Sequence, residues 1–142
     1  MLNSSTTFQF ELVSPERKLI AEPATMAVIP GSEGYFGVLP NHTSLVAALR
    51  PGVLEVYTQG HEQPRRIFIA GGFADVSAAN CTVLAEEAIN VADLNQPALE
   101  QTLRNLRADL GLADEAFEKA RLEQAIILTQ AKLEAFTGHV VS

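Results

Sequence analysis

The chain is poor in cysteine, tryptophan and positive charge. Of its 142 residues one is cysteine and none is tryptophan, and 10 Lys and Arg stand against 17 Asp and Glu. A single thiol, Cys81, excludes an internal disulfide and any multi-cysteine zinc site. A net charge of −7 makes free nucleic acid or an anionic lipid surface a poor partner, because both are held chiefly by Lys and Arg. Uncharged runs are short. Runs such as residues 24–32 carry Pro, Gly and Ser, and none reaches the roughly 18 continuous apolar residues of a spanning helix. Residues 1–7 show neither the basic nor the apolar region of a secretory signal, so a cytosol-facing location is expected. What is present is a globular balance, 47% hydrophobic and 19% charged, which is too apolar for a disordered chain.

The sequence has two textures. Phe8-Gln9-Phe10-Glu11-Leu12 alternates apolar and polar, the mark of a half-buried strand. Eight further candidates follow at residues 18–21, 25–29, 36–39, 45–49, 53–58, 66–70, 73–77 and 82–88. Turn signals separate them at Pro15, Pro30-Gly31, Pro40-Asn41, Pro51-Gly52, Gln59-Gly60 and Gly71-Gly72. Many short, closely spaced strands predict a β-sandwich or barrel, and no helical pattern interrupts them.

Past Val91 the pattern becomes helical. Asn95 or Asp93 suits an N-cap, and Pro97 is tolerated in a first turn. Leu99, Leu103, Leu106 and Leu110 recur at steps of four, three and four, one stripe on a helix that Gly111 is expected to stop. A second helix is predicted from Ala113-Asp114 to Phe136, ending before Gly138. Its apolar residues, among them Phe117, Leu122, Ile126, Ile127, Leu128 and Leu133, cover more than one face. The short connection makes the helices antiparallel neighbours. The surplus apolar face of the second is free to lie on the β region or on another protein. Two parts are expected, residues 1–91 and 92–142.

Chemistry is hard to find. His42, His61 and His139 are scattered and stand at no metal-ligand spacing. Cys81 has no recognisable base beside it and reads as structural. Glu86 and Glu87 would point to opposite faces of a strand, as a solvated strand end does. Arg65-Arg66 reads as a solvated sheet edge. The glycine-dense stretch Gly31-Ser32-Glu33-Gly34-Tyr35-Phe36-Gly37 is neither a dinucleotide fingerprint nor a phosphate loop, since the spacing is wrong and Lys-Ser/Thr is missing. Two readings stand equal: tight turns needing positive φ, or a protruding loop that displays Tyr35 and Phe36 as contact residues. No catalytic constellation, metal site or cofactor site emerges. An interaction subunit is favoured over an enzyme, with a freestanding ligand-binding sandwich and a small enzyme as the other readings.

Three segments resemble one family. They are Phe10-Glu11-Leu12-Val13-Ser14-Pro15-Glu16-Arg17; Pro30 through His42, continuing to Leu49-Arg50-Pro51-Gly52; and Ile69-Ala70-Gly71-Gly72-Phe73-Ala74-Asp75-Val76 followed by Thr82-Val83-Leu84-Ala85-Glu86. In this order they are similar to the epsilon subunit of bacterial and chloroplast F-type ATP synthases. The resemblance implies a flattened β-sandwich of about ten strands followed by an antiparallel two-helix hairpin. It implies a non-catalytic rotor subunit, bound to gamma and to the membrane-embedded c-ring on the cytoplasmic face of the bacterial inner membrane, that couples proton flow to ATP synthesis. It also implies a hairpin that can extend towards the alpha and beta subunits and inhibit hydrolysis. Membrane association would be through the complex only, with no nucleic-acid partner and no cofactor.

Carried over by position, the ring-facing loop is Glu33, Gly34, Tyr35, Phe36 and Gly37, and His42 falls on the family histidine near gamma. Tyr35 stands where some members have a carboxylate, so it can hydrogen-bond and stack but cannot form an ion pair. Arg104, Arg107 and Arg121 are the candidates for contacts with beta in an extended state. Ile126, Ile127, Leu128 and Leu133 are the apolar candidates.

Some members bind ATP on the hairpin through an Asp and an Arg at the start of the first helix. Here those positions are Asn95 and Ala98, so the anion-pairing guanidinium is gone. Calorimetric titration of the chain with ATP is expected to show no binding at physiologically useful affinity. A dissociation constant in the low micromolar range would contradict this.

Overall fold

The computed structural model describes residues 6–137. The predicted Gly138 stop and His139 lie outside them. Eight strands come first: β1 (Phe8–Val13), β2 (Lys18–Ala24), β3 (Met26–Gly31), β4 (Gly34–Val38), β5 (Leu45–Ala48), β6 (Gly52–Tyr57), β7 (Arg65–Val76) and β8 (Asn80–Asn90). A 3-10 turn (Val91–Asp93) leads to α1 (Gln96–Leu112) and α2 (Ala116–Glu134), and a second 3-10 turn covers Ala135–Thr137.

The strands hydrogen-bond in the order β2-β1-β8-β7-β6-β3-β4, with β5 also on β7. All pairs are antiparallel except β1 with β8. The registers show how one sheet makes two layers. β6 pairs with β7 over Arg65–Ile69, whereas β5 pairs with it over Phe73–Val76. β1 pairs only with the first half of β8, Asn80–Leu84. The long β7–β8 hairpin therefore runs through both layers, carrying β1, β2 and β5 at one end and β6, β3 and β4 at the other.

Side-chain parity confirms the crossing. Along β7 the core-facing residues are Ile67 and Ile69, then Ala74 and Val76, so odd positions give way to even ones. Strict alternation would keep one parity. The switch falls at Gly71 and Gly72, whose φ values are +74° and +100°. These glycines read in the sequence as a turn between two strands. They are a bend inside one strand, which is why nine candidates become eight strands.

Between the layers lies an apolar core. Phe8, Phe10 and Leu12 enter it from β1, Ala27 and Ile29 from β3, Leu54 and Val56 from β6, and Cys81, Val83 and Ala85 from β8. Every residue of that core comes from the strand region or the loops between strands.

The hairpin differs from expectation at its ends. Asn95 is the N-cap of α1, its side chain accepting from the Ala98 amide at 3.0 Å. Gly111 lies inside α1, which continues to Leu112. The Ala113 amide closes the helix on the Leu110 carbonyl at 3.3 Å from an extended backbone, so the end uses no left-handed residue. α2 starts at Ala116, later than predicted, and Glu115 gives it no side-chain cap.

A Cβ placed on Gly72 would collide with the Leu84 carbonyl oxygen across the β7–β8 pair. Together with the positive φ, this makes Gly72→Ala both strained and overpacked. It should lower stability by about 3 kcal/mol or more, measured by urea unfolding. A loss under about 1 kcal/mol would mean the bend does not depend on this residue.

Candidate functional site

Among the described residues no group of three or more His, Cys, Asp and Glu side chains could hold a metal ion. His42 and His61 are far apart in the chain and neither joins a ligand cluster. His42 Nδ1 lies 2.6 Å from the Thr43 carbonyl oxygen, which makes Nδ1 the donor. Cys81 is fully buried; burial first, and the Asp75 carboxylate second, push its thiol up to about 12, so it holds no reactive thiolate at neutral pH.

The glycine-dense stretch becomes the β3–β4 hairpin. Glu33 is exposed in its turn, and Gly34 takes φ +131°. Tyr35 and Phe36 are not an exposed tip: both are half-buried in β4. The reason is long-range packing. β3 pairs with β6 only over Met26–Val28, and the Pro30 carbonyl accepts from the Arg50 amide at 3.0 Å instead of extending that ladder. The Val53 amide is left facing this gap, and it donates to the Tyr35 hydroxyl at 3.1 Å. Arg50 lies 5.1 Å over the Tyr35 ring, and a side chain at Gly52 would strike the Tyr35 hydroxyl. Phe36 packs against the sandwich core.

Glu33, Tyr35 and Phe36 nevertheless line one cleft of about 460 Å³ with Leu45, Val46 and Ala48 of β5. His42 is not among its lining residues. β5 brings an apolar band that the sequence reading missed. Val46 is 68% exposed, Phe73 44% and Leu84 41%. Ala48 is opposite Phe73, and Phe73 is opposite Leu84, so these three face outward together. A signal for the band was present. Residues 45–49, 73–74 and 83–85 are apolar at consecutive positions, so both faces of these strands are apolar, not one.

The opposite outer face is covered. Phe68 is fully buried yet lies outside the inter-layer core, as do Val53 and Ala70. α2 lies over them. Its buried residues Leu122 and Thr129, and Ala135 just beyond it, recur at about two turns. Lys132 Nζ sits 3.0 Å from Glu87 Oε2 and 5.8 Å over the Phe68 ring. Arg66 pairs with Glu55 at 3.3 Å and donates to the Ala135 carbonyl at 3.5 Å, while Arg65 pairs with Glu22 at 2.8 Å. Glu87 and Arg66, read as solvated edges, are thus docking residues; only the fold brings helix and strand together.

The arginines of the hairpin stay apart. Arg104 donates to Gln101 at 2.7 Å, Arg121 forms a fork on Glu118, and Arg107 is exposed. The fork's hydrogen bonds hold the Glu118 carboxyl below its usual range. Ile126, Leu128 and Leu133 are half-buried, while Ile127 is 52% exposed.

An eight-stranded sandwich with its own helical hairpin over one face, and a bare apolar band on the other, is the form of a docking subunit. The ATP synthase Delta/Epsilon chain beta-sandwich domain family matches residues 7–91. The ATP synthase epsilon chain of Rhodospirillum centenum is 45% identical over 130 residues, 89% of each chain. That of Rhodospirillum rubrum is 46% identical over 132 residues, 93% of this chain and 98% of its own. A chain of the Euglena gracilis mitochondrial ATP synthase, from its OSCP/F1/c-ring assembly, superposes with a TM-score of 0.85 at 28% identity, over 94% of this chain and 84% of that one. The chain belongs to the ATP synthase epsilon-chain family. No helix among the described residues is long and apolar enough to cross a membrane.

Tyr35→Phe keeps the ring but removes the acceptor for the Val53 amide. It should cost about 1–3 kcal/mol, the penalty of an orphaned, largely buried donor, read from the denaturation midpoint. An unchanged midpoint would show that water replaces the hydroxyl.

Proposed function

We propose that this chain is a non-catalytic rotor subunit of the central stalk of an F-type ATP synthase, docked on gamma and the c-ring and helping to couple proton flow to ATP synthesis. The observation that carries this reading is the near full-length superposition on a chain of an F1/c-ring assembly. The bare band of Val46, Ala48, Phe73 and Leu84 supports it, since a permanent partner would bury such side chains. We assign this band to gamma. Glu33, at the exposed turn of the neighbouring cleft, is assigned to the c-ring, with Tyr35 and Phe36 shaping the turn from beneath and His42 on the gamma side. In a bacterial cell the subunit would then sit peripherally on the cytoplasmic face of the inner membrane, attached through the complex.

The hairpin is the regulatory part of this proposal. Extended, it would reach the alpha and beta subunits transiently, offering Ile126, Ile127, Leu128 and Leu133 together with Arg104, Arg107 and Arg121. The apolar residues would dominate. Exposed ion pairs contribute about 0–1 kcal/mol each, against about 1.5–3 kcal/mol for a fully buried Leu or Ile.

Val46→Glu combined with Phe73→Glu tests the gamma assignment. Both side chains point outward, so the sandwich should fold with an unchanged far-ultraviolet spectrum. Loss of two apolar contacts at about 1.5–3 kcal/mol each should weaken gamma binding by about two orders of magnitude or more. Co-purification with gamma at unaltered affinity would sink the assignment.

A further inference from the structure

The hold of the hairpin on the sandwich is narrow. α1 buries no residue, and its half-buried leucine stripe packs on α2, so α1 is carried by its partner helix. Along α2 itself only Leu122 and Thr129 are buried. Thr129 turns its hydroxyl back to the Ala125 carbonyl at 2.8 Å, so that hydroxyl is engaged within its own helix. On the sheet, Phe68 is the one large side chain of the covered face that is fully buried. An apolar contact this small leaves a large share of the docking to whatever polar contacts accompany it.

Two of those contacts converge on one side chain. Lys132 is 17% exposed, its stem lies along the interface, and its ammonium meets two complementary groups at once: the Glu87 carboxylate at 3.0 Å and the face of Phe68 at 5.8 Å. A cation over a ring face is favoured by the ring quadrupole, and more so when desolvated. A half-buried ion pair is screened less than an exposed one. One turn further on, Arg66 reaches the Ala135 carbonyl, one of the unpaired acceptors at the helix end.

We propose that Lys132 is the positioning residue of the docked hairpin: seated between Glu87 and Phe68, it sets where α2 sits on the sheet, and neutralising it releases the hairpin while the sandwich stays folded. This rests on the hairpin being the regulatory element described above, and it names what holds that element down. The seat needs a cation, not merely one half of an ion pair. A carboxylate over the negative ring face would be repelled, so exchanging the two charges cannot fully restore it.

The test uses the full chain with spin labels at the exposed positions 63 and 124; buried, protonated Cys81 does not compete for the label. Pulsed distance measurements then report docked and undocked populations. Lys132→Met, which keeps the stem, should raise the ratio of undocked to docked molecules about tenfold, and Glu87→Gln should raise it in the same direction. Lys132→Arg should remain docked, and the exchange Lys132→Glu with Glu87→Lys should recover only part of the docked population. An unchanged distribution in Lys132→Met overturns the proposal. So does release by Lys132→Arg as complete as by Lys132→Met, or full recovery in the charge exchange. Loss of the sandwich's own urea transition in Lys132→Met would also overturn it, by making the residue part of the core. These distances read docking alone. Hydrolysis by the assembled enzyme reads the regulatory role separately, so a released hairpin with unaltered hydrolysis would count against that role and not against the seat.

Discussion

The positive-φ backbone at Gly71 and Gly72 is the constraint on which the architecture turns. A strand of uniform parity presents one set of side chains to one core. By exchanging parity midway, β7 sends Ile67 and Ile69 inward at one end and Ala74 and Val76 inward at the other. β8 follows, because its register with β7 is kept on both sides of Gly71, from Val76↔Cys81 to Gly72↔Ala85 and from Ala70↔Glu87 to Ile67↔Asn90. One hairpin thereby supplies the shared wall of both layers. L-residues seldom adopt such φ values, and at Gly72 the partner strand leaves no room for a Cβ, so geometry and packing demand glycine independently.

The same bend creates two outer faces with different fates. Phe68 and its neighbours on the β6 end lie under α2, while Phe73 and Leu84 on the β5 end lie bare. Both faces are apolar because β7 and β8 carry apolar residues at consecutive positions on either side of the bend. A sandwich that needed only its own core would have polar residues there. The surplus on one face is met by the chain's own helix, and the surplus on the other is available to a partner.

How much of this is legible in the sequence varies with the range of the interactions. Phe8, Phe10 and Leu12 show themselves by alternation, since one face of β1 is buried and the pattern is local. The leucine stripe of α1 is equally legible, because α1 meets little besides α2 and a single stripe suffices for that. The cap of α1 is legible as Asn95 or Asp93, because capping chemistry is confined to four residues, and the structure selects Asn95. The role of Tyr35 is not legible, since it depends on an amide 18 positions away that lies beyond the end of the β3–β6 ladder. Glu87 and Lys132 are 45 positions apart and look like ordinary surface charges until the hairpin folds back. The bend at Gly71-Gly72 is indistinguishable from a turn without the register of β8. Family resemblance singled out the loop of Glu33, Tyr35 and Phe36, but the half-burial of its aromatic pair is set by packing that only the fold shows.

The covered face sets a condition on any regulatory use of the hairpin. Removing α2 from the sheet would bare Phe68, Val53 and Ala70 and leave Glu87 and Arg66 without their helix partners. The core between the layers would be untouched, since no helix residue belongs to it. Release is therefore a local cost, not an unfolding. To move a hairpin from about 99% docked to about 99% extended, a partner must favour the extended form by about 5.5 kcal/mol. Surface arginines already engaged with Gln101 and Glu118 offer little of that. Ile127, 52% exposed while docked, has more surface left to bury in a partner than its three neighbours. Ile126, Leu128 and Leu133 are half-buried while docked, so each gains only the difference between its two environments. In the proposed release, the docked seat and the exposed isoleucine would act on opposite sides of one balance, and the sandwich core, to which no helix residue belongs, would carry either shift unchanged.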